Sequence, residues 1–374
     1  MIHLQSLWLK PAILVGGAIL SFTLTANTGR IGLDSVIPSK DQATTELVIE
    51  DPSVLIPMLR SAAEKGDIEA QYSLANMYKQ GIGVEVSDVR AVFWYRKAAE
   101  QNSAIAQNNL AYMYQNGLGV SRDLIQAFNL YKSAADQKLA MAQFNLGLMY
   151  KNGEGTPKDT FKAMELFQLA GAQGDIDALL NLGLMYYFGD GVRQNKATAA
   201  DWFSKAASEG NAEAQYYLGT MSEKGDGITE DTIAAIYFYT ESAERGYVQS
   251  MYNLGIMYAM GIGTRLDNSK AAYWFTKAAE AGNVDAQYNI GVMYDVGGGV
   301  PKSHETAAKW YMEAAEQGSV DAQYNLAVKY LSGEGVGKNK GRAIYWFTKA
   351  ADQGDTDAKE YLIELLKEDT ESEE

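Results

Sequence analysis

The sequence predicts an all-α solenoid built from a repeated pair of helices. Three observations predict it. A segment of the type A-x-x-x-L-G-x-M-Y recurs at a constant step of 36 residues, its apolar residues fall at helical spacing, and glycines punctuate the copies at fixed places. A single helix pair of this length cannot bury its own apolar faces. Stacked copies can, so stability is expected to come from contacts between neighbouring repeats.

The repeat can be followed along most of the chain without an insertion. Every interval between copies is 36 residues, and the last copy is partial. The copies begin at Ala70, Ala106, Ala142, Ala178, Ala214, Ser250, Ala286, Ala322 and Ala358. This constant register predicts one long array of similar units rather than several domains with unrelated folds.

The first helix of each unit has one well-defined face. In the copy that begins at Ala142, Leu146, Gly147 and Tyr150 follow at spacings that place all four residues on one side of a helix. A glycine inside a helix costs about 1 kcal/mol relative to alanine. The same glycine nevertheless recurs at Gly183, Gly219, Gly255 and Gly291. We therefore predict that a neighbouring helix approaches closely at this position.

A glycine turn and a second helix complete each unit. The turn is G-x-G, as at Gly153 and Gly155, and glycine supplies the left-handed conformation that closes a helix. Asp88 and Asp159 suit the start of the second helix, which carries A-x-x-W-F-x-K-A-A-E at 271–280. Its tryptophans are predicted to pack in the core or between repeats rather than to form a ligand cage. They are Trp94, Trp202, Trp274, Trp310 and Trp346.

The two ends of the chain differ from the repeats. The apolar run over 12–24 has 13 residues, which is short for a membrane span and typical of a secretory signal. We expect export to the periplasm or cell envelope of a bacterium, or secretion, with membrane contact only through this segment if it is retained. The predicted organisation is a signal peptide or N-terminal membrane anchor over 1–26, a linker over 27–52, a solenoid of about eight repeats plus end caps over 53–367, and an acidic tail over 368–374.

Composition excludes several kinds of chemistry. The chain has no cysteine, so disulfides, thiolate catalysis and cysteine-ligated metals are ruled out. A formal net charge of -15 argues against a nucleic-acid partner, which would meet like charge. His304 has no second histidine or cysteine nearby, and we interpret it as a solvated turn residue. No phosphate-binding loop or serine-nucleophile motif occurs. We predict no catalytic residue, no cofactor and no metal.

The repeated motifs resemble those of the Sel1-like repeat family, which is related to tetratricopeptide repeats. The resemblance rests on A-x-x-x-L-G-x-M-Y-x-x-G-x-G-V followed by K-A-x-x-W-F-x-K-A-A-E-x-G, and it covers 54–367. It implies a right-handed α/α superhelical solenoid of antiparallel helix pairs, with the first helices on the concave face, and an adaptor role in protein complexes. Departures at Gly171, Ser222 and Lys329 suggest only a local irregularity over 214–249.

On such a solenoid, the concave face comes from first-helix positions that do not pack in the core. The third residue after the repeat alanine is Asn in six of eight copies, and the second is mostly Tyr. Both suit peptide binding. The ninth residue varies from Lys79 and Lys151 to Glu223 and Asp295, which predicts a groove that is basic in its N-terminal half and acidic in its C-terminal half. The candidate partner-binding residues are Tyr72, Lys79, Asn109, Tyr112, Asn145, Lys151, Asn181, Tyr187, Tyr216, Asn253, Tyr288, Asn289, Tyr324 and Asn325.

An alternative stays open for the asparagine row: its side chains could bond a neighbouring helix and set the geometry of the repeat. The predicted function is an exported scaffold or adaptor that binds a protein or peptide partner. One alternative is a structural component of the cell envelope that binds peptidoglycan or another polysaccharide, because Tyr and Asn also suit sugars. A second is a hydrolase with an unrecognised site, although repeated carboxylates such as Glu100 and Glu280 favour a solvated surface over an acid–base pair.

Overall fold

The chain folds entirely as helices over the residues that the structure, a computed structural model, describes. These are 52–371, and within them lie eighteen α-helices and no strand. The helices are α1 (Pro52–Glu64), α2 (Ile68–Gln80), α3 (Asp88–Glu100), α4 (Ala104–Asn116), α5 (Leu124–Asp136), α6 (Ala140–Asn152), α7 (Thr160–Gly171), α8 (Ile176–Phe188), α9 (Lys196–Ser208), α10 (Ala212–Lys224), α11 (Thr232–Glu244), α12 (Val248–Met260), α13 (Asn268–Glu280), α14 (Val284–Val296), α15 (His304–Glu316), α16 (Val320–Ser332), α17 (Lys340–Asp352) and α18 (Thr356–Glu371).

The helices pair as the 36-residue period predicts, so the fold class of a solenoid of helix pairs is confirmed. The even-numbered helices α2 to α16 carry the first-helix motif, and the odd-numbered helices α3 to α17 carry the second. The predicted export segment and linker lie outside the described residues, apart from Pro52. Helix α18 runs on to Glu371, within the stretch assigned to the acidic tail. No helix between residues 52 and 371 is both long enough and apolar enough to cross a membrane.

The described residues form two compact units. One ends at Glu209 and contains α1 to α9, and the other begins at Gly210 and contains α10 to α18. Within each unit, successive helices pack in chain order. The tryptophans lie where the sequence predicts: Trp346 is buried, and Trp94, Trp202, Trp274 and Trp310 pack half-buried against core clusters.

Side chains and glycines fix the ends of the helices. At α2, the Asp67 carboxylate accepts a hydrogen bond from the Ala70 N–H, and Gly81 closes the helix in the left-handed region with φ 74°. Asp159 caps α7 as predicted, by accepting from the Lys162 N–H. Asp88 lies at the start of α3 as predicted, as its first residue, while Ser87 supplies the capping side chain by accepting from the Arg90 N–H.

An aromatic ring packed on a small residue forms the centre of each helix pair, and that residue is glycine in five of the eight pairs and alanine in the other three. The residue that follows the tryptophan position of the second helix is at most 1% exposed in every repeat. These residues are Tyr95, Tyr131, Phe167, Phe203, Tyr239, Phe275, Tyr311 and Phe347. A Cβ added to Gly255 would lie 2.5 Å from the ring of Phe275, far inside van der Waals contact. The predicted close approach at this glycine is confirmed.

The G-x-G turn packs directly on the preceding repeat. A Cβ added to Gly119 would overlap the backbone of Asp88, at the start of the second helix one repeat earlier. Gly335 meets the backbone of His304 in the same way. The second glycine of the turn is therefore needed for contact between repeats as well as for its own left-handed conformation.

Glutamine pairs tie the two helices of many repeats together. Gln71 Nε2 donates to the carbonyl of Ala63, and Gln71 Oε1 accepts from Gln101 Nε2 at 2.8 Å. The same side-chain pair occurs at Gln107 with Gln137, Gln143 with Gln173, Gln287 with Gln317, and Gln323 with Gln353. These glutamine pairs were not predicted from the sequence. Because the first glutamine of each pair is buried, its amide needs these partners.

The ring-on-glycine contact can be tested with Gly255→Leu. We expect this change to lower the free energy of unfolding by about 3 kcal/mol, because the added side chain must displace Phe275. Urea unfolding followed by circular dichroism measures the loss. Gly337→Leu is the matched control, since a Cβ at Gly337 meets nothing within 4 Å. Equal unfolding curves for both variants and the parent chain would contradict the close-approach interpretation.

Candidate partner-binding surface

Within each unit, the side of the even-numbered helices that faces away from the core is called here the first-helix surface. All fourteen candidate residues lie on helices α2 to α16. Seven of them are half-buried and reach this surface: Lys79, Tyr112, Lys151, Asn181, Tyr187, Tyr216 and Asn253. The other seven are buried: Tyr72, Asn109, Asn145, Tyr288, Asn289, Tyr324 and Asn325.

The buried asparagines connect neighbouring repeats. Asn325 hydrogen-bonds the hydroxyl of Tyr288, which belongs to the preceding repeat. Asn145 Nδ2 donates to Asn108 Oδ1 at 2.9 Å, again one repeat earlier. Side chains engaged in this way and at most 2% exposed offer a partner no surface in this structure. The geometry therefore favours the alternative in which these asparagines set the spacing of the repeats.

The buried tyrosines of the candidate set fill the helix pairs. The Tyr288 ring centroid lies 6.0 Å from that of Tyr311, and the Tyr324 centroid lies 5.5 Å from that of Phe347. Tyr72 makes the corresponding contact with Tyr95 at 6.1 Å. Burial raises the pKa of Tyr288, so its hydroxyl stays protonated and able to donate. These three tyrosines contribute mainly to packing.

In the first unit, the half-buried candidates already have polar contacts. Lys79 Nζ forms an ion pair with Asp88 at 3.0 Å. Lys151 Nζ donates to Asn181 Oδ1 at 3.1 Å, and Lys196 Nζ lies 5.2 Å from the centroid of the Tyr187 ring. The lysine charges are thus partly balanced within the protein. What this part of the surface offers is aromatic area with amide and ammonium groups held in place.

In the second unit, an acidic row accompanies the tyrosines. In four of the five copies there, the residue just before the repeat alanine is acidic. These residues are Glu213, Asp285, Asp321 and Asp357. Burial raises the pKa of Tyr252 to about 12, with the Asp285 carboxylate as a further cause. Asp321 acts on Tyr288 in the same sense. This acidic row was not predicted, because the candidate residues were taken only from positions that follow the alanine.

A charged cluster stands inside the second unit, where Lys329 replaces the methionine of the repeat. Its Nζ lies 2.5 Å from Asp295 Oδ1 and 3.2 Å from Glu334 Oε2. His304 Nδ1 lies 2.5 Å from the same Asp295 oxygen. The interpretation of His304 as a solvated turn residue is therefore wrong. It is the first residue of α15, and its side chain is 33% exposed.

The cluster joins α14, α15 and α16. The side chains of Lys329 and Asp295 have no exposure, and only His304 and Glu334 reach solvent. Such a closed arrangement suits an ion pair between repeats and leaves no open position for a substrate. No group of three or more histidine, aspartate and glutamate side chains within the described part of the chain could hold a metal ion. The sequence signal for the cluster was Lys329 at a position that is Met in the other copies.

The fold defines a helical-repeat protein, and its first-helix surface carries half-buried aromatic and polar side chains. The Sel1 repeat family model matches eight consecutive segments: 68–103, 104–139, 140–175, 176–211, 212–247, 248–283, 284–319 and 320–355. The chain belongs to the Sel1 repeat family, as its motifs predict. Proteins of this family generally act as protein-interaction scaffolds and are typically not enzymes.

Two solved structures support the assignment. A Sel1 repeat protein from Oxalobacter formigenes is 31% identical with a TM-score of 0.64, and the match covers 88% of this chain and 98% of that one. A protective antigen present in uropathogenic Escherichia coli strains, which displays the same repeat fold, is 32% identical with a TM-score of 0.63. That match covers 84% of this chain and 75% of the antigen. No curated protein matches the chain.

The structural role of the asparagines can be tested with Asn325→Ala. We expect a loss of about 1–3 kcal/mol in the free energy of unfolding, because the buried Tyr288 hydroxyl loses a partner. Asn116→Ala is the control, since this exposed side chain donates to the Tyr112 carbonyl of its own helix at 2.9 Å. It should cost well below 1 kcal/mol. Similar losses from the two variants in urea unfolding would argue against the inter-repeat role.

The charged cluster gives a second stability test. Lys329→Met restores the repeat residue but leaves Asp295 buried without its ammonium partner, and we expect a loss of about 3–5 kcal/mol. The double change Lys329→Met and Asp295→Leu removes both charges and should recover most of that loss. Thermal and urea unfolding measure both variants. If the double variant is as unstable as the single one, the ion pair does not account for the effect.

Proposed function

We propose that this protein is an exported interaction scaffold that binds a protein or peptide partner on the first-helix surface. The observation that carries the proposal is the set of half-buried aromatic side chains there, in particular Tyr112, Tyr187 and Tyr216. Each lies on a helix that is fixed by contacts with its neighbours, so binding would order few side chains. Rigid tyrosines of this kind supply contact area at low entropic cost.

Polar groups beside these rings would set the register of the partner. Lys151 and Asn181 form a hydrogen-bonded pair in the first unit, and Asn253 is half-buried in the second. An amide can both donate to and accept from an extended backbone. Members of the family generally bind protein partners, which supports a protein or peptide over other ligands.

Export is the part of the proposal that rests on sequence alone. The apolar run over 12–24 supports passage into the periplasm or cell envelope, where the partner would then reside. Cell fractionation of the full chain, with mass spectrometry of its N-terminus, tests this part. Recovery in the cytoplasm with an intact N-terminus would contradict it.

Site-specific photo-crosslinking in cells tests the surface. A photoreactive amino acid placed at Tyr187 or Asn253 should give a discrete crosslinked protein. The same photoreactive amino acid at Tyr273 should give no crosslinked protein, because Tyr273 lies on a second helix and not on the first-helix surface. Tyr273 is 54% exposed, so burial would not explain the missing crosslink. Mass spectrometry identifies the crosslinked product. A product that survives treatment with peptidoglycan hydrolase contains a protein partner, whereas a product with a cell-wall glycan is digested.

Crosslinking at Tyr187 or Asn253 to one protein would support binding at the first-helix surface. Crosslinking at Tyr273 alone would place the binding face on the second helices and contradict the proposed surface. A product that disappears on glycan digestion would replace the protein partner with a polysaccharide.

A further inference from the structure

The repeat over 212–247 departs from the others at positions that bring tyrosines together. Tyr217 stands where six of the eight copies have Asn. Tyr247 stands at the N-cap of α12, and its side chain makes no capping hydrogen bond. At the corresponding caps of α10 and α14, Asn211 and Asn283 accept a backbone N–H at 2.8 Å. This repeat therefore lacks the N-cap hydrogen bond of α12 and has an aromatic side chain at that position.

The three tyrosines form one connected cluster, the tyrosine cluster of Tyr216, Tyr217 and Tyr247. The Tyr216 ring centroid lies 5.5 Å from that of Tyr217, with the planes at 68°, and 5.0 Å from that of Tyr247, with the planes at 37°. Tyr216 also contacts the buried ring of Tyr239 at 6.0 Å. All three members are half-buried. The cluster is thus anchored on the core and still presents aromatic area to solvent.

Negative charge adjoins the tyrosine cluster. Burial raises the pKa of Tyr247, and the Glu213 carboxylate is the next cause. Glu213 lies three and four residues before Tyr216 and Tyr217 on α10, so the three side chains share one face of that helix. Glu223 and Glu213 both act to raise the pKa of Tyr216. Arg245 lies nearby in sequence, but its guanidinium pairs with Glu241 at 2.8 Å. The groups that face the rings therefore favour a cation, which can meet a carboxylate and a π face together.

Acidic groups continue along the second unit, although the Tyr288 and Tyr324 rings beside two of them are buried. Asp285 adjoins Tyr252, Asp321 adjoins Tyr288, and Asp357 adjoins Tyr324. Each pair repeats one unit further along the array. The row is interrupted by Gln249 on α12, so its acidic groups lie on α10, α14, α16 and α18. An extended chain advances about 3.3 Å per residue, so a peptide can place several cations along such a row.

We propose that the tyrosine cluster and Glu213 form a subsite for a lysine or arginine side chain, and that the partner enters as an extended basic segment along the acidic row of the second unit. This inference rests on the proposed function and names the chemistry of its partner. The formal net charge of -15 favours the approach of such a segment over long range. A polyanionic partner is disfavoured by the same groups.

The test uses the purified full chain and a fluorescent ten-residue peptide with lysine at every third position and glycine or serine between. A peptide with glutamine in place of lysine is the ligand control. The key variant is Tyr217→Asn with Tyr247→Asn, which restores residues that other repeats use and should unfold at the same or a higher temperature. The matched control is Tyr273→Asn with Tyr345→Asn, two tyrosines that are 54% and 53% exposed on second helices of the same unit.

We expect the parent chain to bind the lysine peptide at least tenfold more tightly than the glutamine peptide in fluorescence anisotropy. The Tyr217→Asn/Tyr247→Asn variant should lose at least tenfold in affinity, and Glu213→Gln severalfold, while the Tyr273→Asn/Tyr345→Asn variant binds as the parent does. Glu213→Gln should also weaken the dependence of binding on salt.

Equal affinity for the two peptides would overturn the inference, and so would unchanged binding by the Tyr217→Asn/Tyr247→Asn variant. Equal losses in the two double-tyrosine variants would show that the lysine peptide contacts exposed tyrosines with no preference for the cluster, and would also overturn it. The broader proposal is judged separately by crosslinking at Tyr187 and Asn253. A protein captured there with no preference for the lysine peptide would leave the scaffold standing and remove only the basic-segment assignment.

Discussion

Contact between an aromatic ring of the second helix and a small residue of the first determines how closely the two helices of each repeat can pack. At Gly255 the ring of Phe275 occupies the space that a side chain would need, and the same contact recurs at Gly147, Gly183, Gly219 and Gly291. The helix spacing that results lets the G-x-G turn of one repeat touch the backbone of the repeat before it. Every later feature depends on this spacing, including the polar links between repeats and the side chains left at the surface.

Polar side chains that such close packing buries are matched with one another. Gln71 and Gln101 pair across one repeat, and Asn325 hydrogen-bonds the Tyr288 hydroxyl of the preceding repeat. Lys329 and Asp295 link neighbouring repeats through an ion pair. Since an unmatched buried group is costly, these partners select one register between successive helix pairs. A rigid surface follows, and rigidity is what an interaction scaffold needs to present a fixed set of side chains.

The sequence was sufficient for the fold but only partly for the surface. A constant 36-residue period predicts the helix pairs, and the costly glycine inside a helix predicts the close approach. Tyr288 and Asn325 were placed on the binding face because helical spacing puts them beside the core face, and contact with an adjacent repeat then buries them. Lys329, Asp295 and His304 meet across three helices, and no local pattern reveals such a meeting. What the sequence did signal was departure from the repeat, at Lys329 and in the copy that holds Tyr217.

The central claim is that the partner covers the first-helix surface of an otherwise unchanged array. Hydroxyl-radical footprinting of the full chain, with and without the bound partner, measures this directly through tyrosine oxidation. The account predicts that Tyr217 and Tyr247 react in the free protein and become protected on binding, while Tyr273 and Tyr345 react equally in both states. Protection of Tyr273 and Tyr345 with no change at Tyr217 and Tyr247 would contradict it.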